Sequence, residues 1–355
     1  MNKFSSIKNS LEQFEKEEDT TLPVNYESLE EEVSQYHTEL NLLMKVLIYF
    51  GGFLASLFFT LFIVFIGVSG ENYYVVSILG LVFCGISIFI SRNSHELFTE
   101  SLATSSFLIG QIIFTTGLIM ADMSEYGILT ALLLLNCVAI IFVKRYMLVF
   151  LCTLGIAMNF SAWITVLKIV DLHHLLLFFL GGMVTYIFTK EGAIYRLFKD
   201  HTYLINPITE GLIVAFYLEL MSLIFYKHES GLHSIWVSTI TICGLIIYYL
   251  FHSNKSLELG YSPVKRIALV VLIGLPTLFA PYIIGSFYIL ILGVISNRKS
   301  LKGLGIISFI SFIMYFYYDL NITLLEKSIA LMISGIVFLG IYWFFFYQKS
   351  SNGKI

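Results

Sequence analysis

From Met44 onwards the chain alternates between long apolar runs and short polar turns. A run of roughly 17–25 apolar residues crosses a bilayer as a helix. The strict alternation that a transmembrane barrel requires is missing. The pattern predicts about twelve transmembrane helices, over 46–68, 73–90, 102–121, 127–143, 147–167, 172–189, 208–226, 233–251, 267–280, 282–296, 303–318 and 324–347. The fold class expected is therefore all-α, a polytopic helical membrane protein with the lipid bilayer as its surroundings.

One run needs a decision. Residues 267–296 would form a helix of about 45 Å at 1.5 Å per residue, too long for a hydrocarbon core of about 30 Å. Gly274, Pro276, Pro281 and Gly285 interrupt it. Two short helices meeting near Ala280-Pro281 are expected, as two full spans or as a re-entrant hairpin. Pro-broken segments of this kind mark binding sites in some transporters, and elsewhere are kinks.

Before the first span the periodicity changes. Phe4, Ile7, Leu11 and Phe14 step by three and four, as do Tyr26, Leu29, Val33, Tyr36, Leu40, Leu43 and Leu47. That is the seam of paired helices, broken by "EKEEDTTLPVN" around Pro23. Residues 1–45 are read as an acidic, cytoplasmic, amphipathic helical leader, 46–348 as the transmembrane domain and 349–355 as a short cytoplasmic tail. Anionic lipid repels the leader's acidic faces. They point to a hairpin, to self-association through the N-terminal heptads, or to a basic partner.

Composition and charge sharpen this picture. Hydrophobic residues make up 57% and charged residues 13% of the 355, against about a quarter charged in soluble domains. Of the 21 Lys and Arg, only Lys168, Lys227 and Lys327 fall on the side opposite the N-terminus. Positive charge is retained on the cytoplasmic side, so both termini are expected there. Tyr73, Tyr74, Tyr126, Tyr226 and Trp236 gather at one set of span ends, and Tyr186, Tyr248, Tyr249 and Trp343 at the other, as an interfacial belt requires. No basic start precedes the first apolar run, so no cleavable signal peptide is expected. The four cysteines are scattered inside apolar runs, which suits packing rather than disulfides or metal.

Polar residues inside spans are the candidates for chemistry, because a mid-bilayer charge costs roughly 2.5–3.5 kcal/mol and one that stays faces protein or water. Glu219 lies deep in the seventh span, with Ser222 and Tyr226 on the same helical face. Glu210 points to the opposite face near the cytoplasmic end. Thr104, Gln111, Thr115 and Asp122 share a stripe on the third span, and Asn136 and Asn159 add buried amides. Hydrogen bonds between helices, at about 0.6 kcal/mol each, suffice to explain the amides and threonines. Glu219, Gln111, Thr115, Ser222 and Tyr226 form a candidate polar path for protons or cations.

A second candidate lies in "FYYDLNITLLEK", 316–327. Tyr315, Tyr317 and Tyr318 suit the interfacial girdle, and Thr323 with Glu326 has the spacing of a capping box. Lys327 reaches outward or pairs with Asp319. Tyr318, Asp319, Thr323 and Lys327 are the residues of an external turn site, if this turn holds more than a cap. His173, His174, His228 and His233 sit at the external ends of spans six to eight, without metal-ligand spacing. No metal, cofactor or nucleic-acid partner is expected. HExxH, phosphate-loop and GxSxG patterns are absent, which argues against an enzyme.

Three segments carry a family resemblance: "SSFLIGQ" (105–111), "LFAPYIIGSFYILILGVISNRKSLKGLGI" (278–306) and "FYYDLNITLLEKSIALMISG" (316–335). On these the chain resembles the bacterial membrane family catalogued as domain of unknown function 4401, over roughly residues 37–347. The resemblance implies a multi-pass inner-membrane protein working with a small membrane-anchored partner, and it implies no activity. There is also an internal echo: "LGI" at 154–156 precedes "DLHHLLL" at 171–177, and "LGI" at 304–306 precedes "DLNITLL" at 319–325. An offset near 150 residues would fit two six-helix halves. Two functions follow as expectations: a transporter-like permease for a small solute, and a non-transporting scaffold for a membrane-anchored partner.

Overall fold

The structure, a computed structural model, describes residues 73–93, 97–229, 234–252 and 263–319, with helical positions between 44 and 58 and between 325 and 339. Most of the expected first span (46–68), the last span (324–347) and the leader lie outside the described residues. The described residues contain helices and turns and no strand. In order, the helices are α1 (Tyr73–Asn93), α2 (Leu97–Met120), α3 (Glu125–Phe142), α4 (Tyr146–Leu167), α5 (Leu172–Thr189), α6 (Glu191–Leu197), α7 (Thr202–Glu229), α8 (Ile235–His252), α9 (Pro263–Gly274), α10 (Pro281–Ile295) and α11 (Lys299–Asp319). Eight of them, α1 to α5, α7, α8 and α11, are long and apolar enough to cross a membrane. Two compact units divide the chain, Met1–Ala121 and Asp122–Ile355.

In the first unit α1 and α2 form a tight hairpin. Between helices in lipid there is little hydrophobic drive, so close approach and hydrogen bonds hold them. A Cβ on Gly80 would lie 2.4 Å from the Phe114 nitrogen, and one on Gly110 2.9 Å from the Gly80 carbonyl oxygen. Around this contact Ser87 Oγ donates to the Ala103 carbonyl, and Cys84 Sγ lies 3.7 Å from that of Phe107.

The second unit begins with another hairpin. Ser124 caps α3 by accepting from the Gly127 N–H. Gly155 of α4 presses on Asn136, so that a Cβ added there would lie 2.9 Å from Asn136 Oδ1. The α10–α11 hairpin repeats the device: a Cβ on Gly305 would sit 2.7 Å from Leu290 Cα. Both glycines are the middle residue of the echoed "LGI". The echo thus marks two helical hairpins, each with a basic turn and a glycine seam.

Helices α5, α7, α8 and α10 pack around Gly181. Its carbonyl accepts from Tyr288 Oη at 2.8 Å, and Phe216 meets the Tyr288 ring edge-on at 5.2 Å. Span 172–189 matches α5 to the residue. Helix α7 is longer than expected at both ends and contains Pro207, which has no N–H for the Tyr203 carbonyl. The short helix α6 falls between two expected spans, where the hydrophobic pattern predicts no element.

The run 267–296 is broken as expected, between Gly274 and Pro281. Pro281 occupies the first turn of α10, where its missing N–H costs nothing. At 1.5 Å per residue α9 and α10 reach about 18 Å and 22 Å, each short of the hydrocarbon core. A break leaves carbonyls without helical partners. Thr239 of α8, itself buried, supplies one: its Oγ1 donates to the Leu278 carbonyl at 2.9 Å and also lies 3.3 Å from that of Thr277. Thr239→Val keeps the shape and strands the Leu278 carbonyl, since that of Thr277 also accepts from the Ala280 N–H at 2.8 Å. It is expected to cost about 1–3 kcal/mol, measurable as a lower unfolding midpoint of the purified protein in detergent.

Candidate functional site

Helix α7 carries Glu219, and its side chain is 1% exposed. Among the described residues it is the only buried Asp, Glu, Lys or Arg. Its partner comes from α5: His173 Nδ1 lies 2.6 Å from Glu219 Oε1, and the imidazole is 0% exposed. Two neighbouring helices therefore meet through one short buried side-chain contact.

The next residue repeats the arrangement toward a third helix. His174 Nδ1 lies 2.5 Å from Ser238 Oγ of α8, and both side chains are buried. One residue further along α8, Thr239 reaches the break between α9 and α10. A polar layer thus runs through Glu219, His173, His174, Ser238 and Thr239. All of it lies at the end of the second unit where α5 begins, α8 begins and α9 gives way to α10. The Nε2 of His174 is enclosed and has no hydrogen-bond partner among the described residues.

The sequence singled out Glu219 and assigned the histidines to the water interface. That assignment is corrected: His173 and His174 are buried. The reason is the length of α7. It continues to Glu229, so Glu219 stands about 15 Å below its end at 1.5 Å per residue. The first turn of α5 is level with that point and is covered by its neighbours. The one signal available was a tandem His-His opening an apolar run.

Other expected site residues fall as follows. Ser222 Oγ donates to the main-chain carbonyl of Glu219 at 2.7 Å. The backbone of Tyr226 lies in α7, and its side chain is outside the described residues. Gln111 and Thr115 are in α2 of the first unit, where Thr115 Oγ1 donates to the Gln111 carbonyl at 2.7 Å. Asp122 has left the stripe: it follows the end of α2 with a φ of 51°. Asn159 Nδ2 donates at 2.7 Å to the carbonyl four residues back in its own helix, and Asn136 Nδ2 does the same at 2.9 Å. Each amide thus spends one donor within its own helix. Glu210 accepts a hydrogen bond from the Tyr146 hydroxyl of α4.

At the external turn, Tyr318 is 78% exposed, as a girdle residue should be, and Asp319 ends α11. Tyr315 instead turns partly inward and meets Tyr282 edge-on at 5.7 Å. Thr323 and Lys327 lie outside the described residues, so that site stays a matter of sequence. No group of three or more His, Cys, Asp or Glu suited to a metal occurs among the described residues.

Compared with known proteins, the chain matches one family model, described as a domain of unknown function (DUF4401), over residues 41–347. Among curated proteins nothing matches, and among solved structures nothing matches.

Proposed function

This chain belongs to the family described as a domain of unknown function (DUF4401), and from that premise we propose a permease that couples movement of a small solute to protons through His173 and Glu219. The observation that carries this reading is the burial of the pair, 0% and 1% exposed with 2.6 Å between Nδ1 and Oε1. With one dissociable proton shared between His173 and Glu219 the couple is neutral overall. Loss of that proton would leave a net negative charge in a low-dielectric interior, where uncompensated charge is strongly disfavoured. Release is then favourable only when another proton or a cation arrives, which is the logic of coupled exchange. The broken α9–α10 segment beside the layer supports the same reading.

The reading includes twelve crossings in two six-helix halves, with 46–68 and 324–347 as the outer spans and both termini on the cytoplasmic side of a bacterial inner membrane. It includes no catalysis. The test uses full-length protein in liposomes loaded with a pH-sensitive dye, with a potassium ionophore to clamp the potential. Proton flux above protein-free liposomes is expected, falling at least about tenfold in Glu219→Gln, the loss general for one proton-transfer group. Absence of flux in the wild type, or unchanged flux in Glu219→Gln, overturns the proposal. Mass spectrometry of what co-purifies from native membranes then identifies the solute, or a membrane-anchored partner if the protein is a scaffold.

A further inference from the structure

A cluster at the other end of the second unit plays no part in the proton layer. Helix α6 joins α5 to α7 and has seven residues, about 10 Å at 1.5 Å per residue, too short to cross. Two tethers fix it. Arg298 donates to Glu191 at 3.0 Å and lies 5.0 Å above the Phe188 ring. Tyr195 Oη donates to Asn206 Oδ1 at 3.1 Å. These tethers consume the one acid within α6 and leave its other side open.

That open side has two kinds of residue. Lys190, Arg196 and Lys199 are exposed, and no ion pair or side-chain hydrogen bond engages them among the described residues. The acid that remains in the sequence nearby is Asp200. Interleaved with the cations, Leu197 is 79%, Phe198 48% and Tyr203 38% exposed. A soluble anion would satisfy the cations and leave the leucine and phenylalanine in water. A purely apolar partner would strand the cations. An anionic lipid surface answers both, because it offers acyl chains a few ångströms from phosphates. The membrane-crossing helices on either side of α6 also hold it at the boundary between water and lipid.

We propose that α6 and the adjoining turn Lys199–His201 form a docking surface for the headgroups of anionic phospholipids. Lys190, Arg196 and Lys199 hold the phosphates, and Leu197 and Phe198 enter the acyl boundary. This surface works whether or not His173 and Glu219 carry protons.

The test is native mass spectrometry of full-length protein taken from vesicles of equal parts phosphatidylcholine and phosphatidylglycerol. The wild type should retain phosphatidylglycerol preferentially, and each cation removed should lower the preference by roughly fivefold. In the triple variant Lys190→Gln, Arg196→Gln, Lys199→Gln the preference should vanish. Leu197→Ser with Phe198→Ser should weaken retention of both lipids. An equal unfolding midpoint in neutral detergent confirms that the variants fold; if the triple variant does not, Arg196→Gln alone must still lower the preference. No preference in the wild type, or one that survives in a folded variant, overturns the proposal. So does release of the lipid by millimolar inorganic phosphate, which would mark a free-anion site instead.

Discussion

Replacing His173 with alanine is expected to destabilise the protein by about 3–5 kcal/mol, the cost of breaking a buried ion pair from one side. The size follows from what is left behind. Glu219 is 1% exposed, its carboxylate meets His173 at 2.6 Å, and no buried Lys or Arg occurs among the described residues to replace that partner. The informative comparison is the pair of substitutions together. His173→Ala with Glu219→Gln removes the stranded charge and should be more stable than His173→Ala alone, although it lacks more native groups. Unfolding midpoints of the four proteins in detergent give the coupling energy directly. A double variant no more stable than His173→Ala would show that the pair is not held by charge.

Gly80→Leu should be nearly as damaging, at about 3 kcal/mol or more, the upper end of overpacking costs. The reason is the identity of the neighbour. A Cβ at position 80 would lie 2.4 Å from the Phe114 nitrogen and 2.6 Å from its Cα, and backbone inside a helix cannot swing aside as a side chain would. The two helices must separate, and the Ser87 hydrogen bond to Ala103 goes with them. Gly85 is the control on the same helix: a Cβ there meets nothing within 4 Å, so Gly85→Leu should leave the midpoint almost unchanged. Equal losses at both positions would mean that the close approach at Gly80 does not set the effect, since leucine favours the helix over glycine at either.

Much of the helical layout was legible in the hydrophobic pattern because lipid enforces a length on every crossing. The limits of α5 and the break before Pro281 show this. The short helix α6 was missed for the opposite reason: seven residues at the water–lipid boundary have no required length and little periodicity. The glycine seam was written in small residues at three- and four-residue steps, Ser77, Gly80, Cys84 and Ser87. Yet small residues are common in membrane helices, and the spacing by itself names no facing partner.

Glu219 was recognisable from sequence because a carboxylate in an apolar run is costly wherever that run ends up. His173 was not, because its burial depends on how far α7 projects beyond the start of α5, a property of two helices 46 residues apart. For Ser222 and Thr115 the sequence likewise left the hydrogen-bond partner open. A hydroxyl on a helix can bond its own backbone, and here each donates to a carbonyl of its own helix. The sequence by itself determined the helical class, the breaks and the presence of a buried acid, since solvent preference acts on each residue locally. Only the tertiary structure decided which groups neutralise that acid, which glycines set the contacts and which cations stay unpaired, since those depend on distances between segments far apart in the chain.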